Sequence, residues 1–245
     1  MKKLDRQNIM WPEKATTDDK KFCRKIYASF RSFLNSISCE HYLPVAIACS
    51  GGIDSTVMAH AFSMATKSFD SGVSLKKCLI YVNHQLRSKN ETDADISFVS
   101  NLSLELGYDV KILTVSVDKN GNIQSLAREA RYNALSDIIA VDYNGIGLLA
   151  HNANDNVETK LFKFLKGYEV KDLGDLEWGG VVFKRPMIKF TRKDIERYAK
   201  IWNLSWSEDA SNATNKYTRN KIRHDLIPWI EQNINPGIVN MLSRL

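Results

Sequence analysis

At 245 residues the chain is long enough to bury a sizeable core without metals or disulfides. Thirty-four Lys and Arg against 28 Asp and Glu give a net charge of +6, which suits a polyanionic partner without demanding one. No stretch approaches the roughly 18 uninterrupted apolar residues of a membrane helix, and the first ten residues lack the apolar segment of a secretory signal, so a cytoplasmic protein with no membrane partner is expected. Cys23, Cys39, Cys49 and Cys78 show no C-x-x-C spacing, which argues against zinc, iron–sulfur and dithiol chemistry and leaves them as small buried hydrophobes.

Residues 1–40 are expected to form an N-terminal helical segment. Residues 43–49, an apolar run between a proline and the Ser50-Gly51-Gly52 turn, fit a buried strand. The apolar spacing of Val57, Met58, Ala61, Phe62 and Ala65 predicts a helix after it. The alternation continues with strands at 78–82, 109–115 and 146–150, and helices at 91–106, 124–139 and 154–165. On the second of these helices the core stripe reads Ile123, Leu126, Ala127, Ala130 and Ala134, and on the third Val157, Leu161, Phe164 and Leu165. A short strand at 181–183, a helix at 191–202 and another at 219–234 close the pattern. Such alternation predicts an α/β fold with a doubly wound, mostly parallel sheet and a small C-terminal helical extension. The expected division is a catalytic domain over 41–228 and a helical tail over 229–245. Trp202, Trp206 and Trp229 are expected to pack rather than to stack on bases.

Ligands of such sheets bind where strand-to-helix loops meet at the strand carboxyl ends. The first such loop is Ser50-Gly51-Gly52-Ile53-Asp54-Ser55. Its backbone N–H groups and the following helix start would face an anion, and glycine lets phosphate oxygens approach. The serines add hydroxyl donors, and Asp54 has the chemistry either to bind Mg²⁺ or to cap the helix. There is no Gly-Lys-Ser/Thr and no G-x-G-x-x-G, so neither a Walker loop nor a dinucleotide fingerprint is present.

The hexapeptide resembles the S-G-G-x-D-S loop of the PP-loop ATP pyrophosphatases. Further along come Val82-Asn83-His84-Gln85-Leu86-Arg87, Ser125-Leu126-Ala127-Arg128-Glu129-Ala130-Arg131-Tyr132 and His151-Asn152-Ala153-Asn154-Asp155-Asn156-Val157-Glu158-Thr159. Arg185-Pro186, Trp206-Ser207-Glu208-Asp209-Ala210-Ser211-Asn212 and Tyr217-Thr218-Arg219-Asn220-Lys221-Ile222-Arg223-His224 complete the series. In order and context these motifs resemble the tRNA(Ile)-lysidine synthetases from about residue 44 to 228. The chain departs from that family's pattern at Asn154, where a second aspartate is common, and at Asn83-His84-Gln85, where Asp-His-Gly is common.

The resemblance implies that ATP is cleaved between its α and β phosphates, that AMP is placed on the C2 oxygen of the first anticodon cytidine, and that the ε-amine of L-lysine displaces it. The partners are then L-lysine and a minor tRNA(Ile) with a CAU anticodon. A homodimer is left open. Ser50 to Ser55 and His84 would bind ATP, with His84 and Arg87 equally readable as structural. Asp54, Asp155 and Glu158 would hold Mg²⁺; read alone, Asp155 complements a helix N-terminus and Glu158 pairs with a lysine. Arg128 and Arg131 would bind phosphate or the adenylated intermediate, the choice between them open, and His151 is a candidate general base. Arg185, Lys216, Arg219, Asn220, Lys221 and Arg223 would contact RNA, with a solvated helix face as the other reading of the last five. Another PP-loop tRNA-modifying enzyme, or an inactive nucleotide-responsive RNA-binding module, is the alternative.

Overall fold

The structure, a computed structural model, describes residues 9–36, 42–67, 74–117, 121–143, 146–170, 173–208 and 218–244. Among these, β1 (Tyr42–Ala48), β2 (Ser74–Asn83), β3 (Asp109–Thr114), β4 (Ile146–Leu148), β5 (Leu176–Trp178) and β6 (Val181–Lys184) form one sheet in the order β3-β2-β1-β4-β6-β5. All neighbours are parallel except β5, which runs antiparallel to β6. The expected mostly parallel α/β architecture is present.

Strand β1 shows how the two faces arise. Successive side chains alternate, so Val45 and Ile47 enter one apolar cluster while Ala46 enters another. The first cluster is built from α1 (Thr17–Ser36), α2 (Ile53–Lys67), α3 (Lys89–Leu106) and α6 (Arg192–Trp202). Helix α2 is buried along nearly all of its length because α1 lies over it, with Phe30 meeting Phe62 edge to face at 5.7 Å. Helix α4 (Ile123–Asp142) covers the opposite face through Tyr132, Leu135 and Ile139. Helix α5 (Ala153–Leu165) carries a third cluster, formed with the C-terminal helices through Val157, Ile222, Ile227, Ile238 and Val239.

Three expectations need correction. The α4 stripe lies later than its apolar spacing implies: Tyr132, Leu135, Ser136 and Ile139 are buried, whereas Ile123 is partly exposed. Helix α4 enters from the carboxyl end of β3, so its first two turns stand beyond the sheet. On α5 the stripe does not reach the end, since Phe164 is 72% and Leu165 59% exposed; the neighbouring helices cover only its earlier turns. The helix expected over 219–234 is broken into α7 (Thr218–Lys221), a π-turn (Ile222–Leu226) and α8 (Ile227–Asn233), followed by α9 (Ile238–Leu242). Pro228 lacks an N–H and crowds the carbonyl four residues back, and just before it the Ile227 N–H reaches the Ile222 carbonyl, a five-residue span. Strand β5, Leu176–Trp178, was not anticipated; it lies in a Gly- and Asp-containing stretch where the apolar periodicity is weak.

Candidate active site

Strand β1 pairs on one side with β2 and on the other with β4, so the connection from β1 to β2 and the later crossover from β3 to β4 run in opposite directions across the sheet. That is the switch point at which doubly wound sheets open a crevice. The Ser50–Ser55 loop follows β1 and His151–Asp155 follows β4. Together with residues from β2, α4, α6 and the C-terminal helices they line one cleft of about 1010 Å³.

The loop is braced from within. Ser55 donates its hydroxyl to the Gly52 carbonyl at 2.9 Å and Thr56 to that of Gly51 at 3.1 Å. Gly51 sits at φ +84°, and a Cβ there would meet Phe98 at 3.4 Å and Ser207 at 3.5 Å. The dihedral is what calls for glycine; the two neighbours lie at ordinary contact distance. The first N–H groups of α2 have no partners within the helix, and Ile53, Asp54 and Ser55 all line the cleft.

Asp54 stands at the centre. Its Oδ1 accepts from the Asn152 amide at 2.9 Å and its Oδ2 pairs with Arg192 at 2.7 Å. These partners lie 98 and 138 residues away in the chain, and the start of α6 at the Thr191–Asp194 capping box brings Arg192 to the loop.

Asp155 and Glu158 are brought together with Arg223. Asn152 caps α5, and Asp155 completes the capping box by accepting the Asn152 N–H at 3.0 Å. The other Asp155 oxygen meets Arg223 at 3.0 Å. Glu158, almost fully buried, takes the same guanidinium in a fork at 2.6 and 2.9 Å. Burial pushes the Asp155 carboxyl up to about 6, helped by the charges of Glu158 and Asp54 and opposed by the Asn152 N–H and Arg223. The three carboxylates expected to share Mg²⁺ are thus each held by a basic or amide group, and no cluster of three or more His, Cys, Asp or Glu placed for a metal occurs among the described residues.

The residues expected to contact RNA lie in different settings. Arg223 points to the carboxylates, and Arg219 donates to the Thr159 hydroxyl at 2.7 Å. Lys221 is exposed and Asn220 half-buried, while Lys216 lies outside the described residues. Arg185 is buried; its Nε donates to His151 Nδ1 at 2.9 Å and its Nη1 to the Gly174 carbonyl.

His151 faces a basic pole. Burial holds its ring well below the usual histidine range, at about 3, and the charges of Arg185, Arg128, Arg131 and Arg219 add to the effect. Arg128 and Arg131 both lie over the Tyr132 ring, at 4.8 and 5.3 Å; Arg131 lines the cleft and Arg128 is exposed. His84 lines the cleft as well, its pKa lowered by burial and by Arg131, with Nδ1 buried and unpartnered among the described residues.

One part of the wall was not foreseen. Asp95 on α3, buried, accepts from Arg87, Tyr81 and Ser207, and the Ser207 N–H donates to the Gly51 carbonyl at 2.9 Å. Trp206, expected to pack, is 38% exposed and lines the cleft beside Ser207 and Glu208. Trp229 is exposed as well.

The family model of the PP-loop domain matches residues 24–230. The chain belongs to the PP-loop family. Among curated relatives, it is 33% identical over 202 residues to a tRNA(Ile)-lysidine synthase of Solibacter usitatus, covering 81% of this chain and 43% of the relative. It is 35% identical over 201 residues to that of Wolbachia pipientis wMel, covering 80% and 45%. The chain therefore spans about half the length of the curated relatives it matches. In fold it is similar to the U34-tRNA thiolase NcsA from Methanococcus maripaludis with its [4Fe-4S] cluster, at a TM-score of 0.71 and 20% identity over 92% of this chain and 78% of that one. A second likeness is the NH3-dependent NAD synthetase of Campylobacter jejuni, at a TM-score of 0.51 and 19% identity, covering 92% and 91%. Membership of the PP-loop family makes this chain an ATP-using protein of α/β fold. Cys23, Cys49 and Cys78 are free, buried and dispersed over α1, the end of β1 and β2.

Proposed function

We propose that the chain acts as a tRNA(Ile)-lysidine synthetase, joining L-lysine to C2 of the wobble cytidine of a CAU-anticodon tRNA at the expense of ATP. The observation that carries this reading is the pairing of Asp155 and Glu158 around the Arg223 guanidinium, beside the ATP loop. Two carboxylates face this one guanidinium at 2.6–3.0 Å, so the pair has a second negative charge to offer a substrate ammonium group beside Arg223. The relatives named for lysidine synthesis support the same choice of amine.

In this reading the Ser50–Ser55 loop and the start of α2 hold the β and γ phosphates. The cytidine C2 oxygen bonds to the α phosphorus while the bridge to the β phosphate breaks, its electron pair leaving with pyrophosphate. The lysine nitrogen then bonds to C2 and the C2–O bond breaks, so the oxygen departs on AMP. Asp155, with its carboxyl near 6, takes the proton the amine loses. Arg131 neutralises phosphate charge on the side away from the acids. Magnesium, when bound, screens the polyphosphate. Asp54, partly exposed at the loop, would hold it as one carboxylate beside phosphate oxygens once Arg192 swings away from Oδ2, whereas Asp155 and Glu158 serve the amine.

AMP release with ATP, lysine and tRNA tests the scheme. Asp54→Asn should lower it by at least about a hundredfold and leave salt-sensitive RNA binding largely intact. Turnover retained in that variant refutes the role given to Asp54. ATP and RNA binding without any AMP in the parent protein favours the RNA-binding module instead.

A further inference from the structure

His151 is the residue that sequence reasoning would place as a general base, yet its surroundings assign the opposite role. Arginine has five N–H donors and no acceptor. The 2.9 Å contact from Arg185 Nε to His151 Nδ1 therefore has one polarity: Nδ1 is the acceptor. A histidine ring that accepts at Nδ1 and is uncharged carries its proton on Nε2. The ring is kept uncharged by burial and by the arginines around it, Arg185, Arg128, Arg131 and Arg219. Arg185 is itself fixed, since a second arm donates to the Gly174 carbonyl and Pro186 follows it at the end of β6.

His151 has no other hydrogen bond among the described residues. The buried orphan side-chain atoms there are His84 Nδ1, Tyr132 Oη, Tyr143 Oη and Trp202 Nε1. Nδ1 of His151 is turned to Arg185, and Nε2, on the other side of the same ring, is the nitrogen left for the cleft that His151 lines.

We infer that Arg185 is a positioning residue that locks His151 as the Nε2–H tautomer, so that His151 acts in the cleft as a hydrogen-bond donor to oxygen and not as a proton acceptor. This inference rests on the proposed adenylating reaction for its chemical use. The natural recipients of the N–H are a phosphoryl oxygen of ATP, as charge moves toward the leaving pyrophosphate, or the oxygen that departs from C2 on AMP. In both cases no proton is transferred to or from His151; an N–H already held in place by Arg185 needs no rearrangement as charge develops.

Two measurements bear on it, and the first needs neither ATP nor RNA. With histidine-selective 15N labelling, one of five histidine signals disappears in His151→Gln and is thereby assigned. It should show a bare, acceptor-type Nδ1 and a protonated Nε2 from pH 5 to 8. A proton on Nδ1, or a charged ring at neutral pH, overturns the inference even if lysine transfer is active. In Arg185→Met the ring should become a mixture of tautomers, while Arg185→Lys, which keeps a donor, should retain the bare Nδ1. An unchanged tautomer in Arg185→Met removes the positioning role.

The second measurement is AMP formation. His151→Gln supplies an amide oxygen to Arg185 and an N–H to the cleft, and should keep kcat within about tenfold, whereas His151→Phe should lose about a hundredfold or more. Equal, near-complete losses in Gln and Phe, with loss of a limb of the pH profile, would identify a base and overturn the donor role. If the parent forms no AMP at all, the proposed function fails while the tautomer measurement still decides the state of His151.

Discussion

Asp155 combines three duties at one carboxyl: it caps α5, meets Arg223 and sits within the field of Glu158 and Asp54. Its folded-state pKa, about 6, lies above the ordinary 3.8. For an acid shifted upward, the folded state favours the protonated form, so the ionised group costs stability. That cost is absent below about pH 4, grows as pH rises toward 6 and is complete above it. Asp155→Asn keeps an oxygen for the Asn152 N–H and removes the charge. It should gain about 1–2 kcal/mol over the parent at pH 8 and nothing near pH 4, read by urea unfolding at both. A pH-independent difference would contradict the shift. Gln85 offers a second residue-scale check. It lies at φ +55°, in the left-handed region, with its N–H bonded to the Asn83 side chain at 2.8 Å, at the place where the lysidine synthetase pattern has glycine. Gln85→Gly should stabilise the protein by about 1 kcal/mol, measured by the unfolding midpoint.

At the scale of elements, the π-turn between α7 and α8 aims Arg223 inward, and the guanidinium then closes the acid pair. Removing one partner of such a pair costs more than removing both, because the survivor is left buried and uncompensated. Arg223→Met should lose about 1–3 kcal/mol, with Arg223 partly exposed, and Arg223→Met combined with Glu158→Gln should recover part of it. Additive losses in the double variant would mean that the two do not interact. The brace from Asp95 to Ser207 acts on another element, the segment carrying Trp206. Asp95→Ala should raise the KM for ATP about tenfold with a smaller change in kcat, since it loosens the wall against Gly51; an unaltered KM would remove the brace from the site.

The order of strands and helices was legible in the sequence because buried parallel strands and amphipathic helices differ in period. The loop at 50–55 and the carboxylates at 155 and 158 were legible through spacing and context. What the spacing did not carry was direction. A run of basic residues from Lys216 to His224 reads the same whether it faces solvent or a carboxylate, and the turn before Pro228 decides it for Arg223. Arg185 and Arg192 find His151 and Asp54 across long stretches of chain, which no local pattern encodes. Trp206 and Asp95 were misread or missed because an exposed aromatic and a buried acid both break the usual rule of burial.

For the whole molecule, the sheet's switch point gathers the Ser50–Ser55 loop, the acids Asp54, Asp155 and Glu158 with their arginine partners, and the arginines around His151 about one cleft. The described residues contain no helix long and apolar enough to cross a membrane. The central claim is that this cleft joins an amine to an adenylated tRNA base. The most direct test is mass spectrometry of nucleosides from CAU-anticodon tRNA(Ile) after incubation with the protein, ATP and isotopically labelled L-lysine, with methionine tRNA of the same anticodon alongside. The account predicts labelled lysidine in place of the wobble cytidine in the isoleucine tRNA, accompanied by AMP, and its absence when Asp54 is asparagine. An unmodified cytidine under conditions where ATP and the tRNA both bind would contradict it.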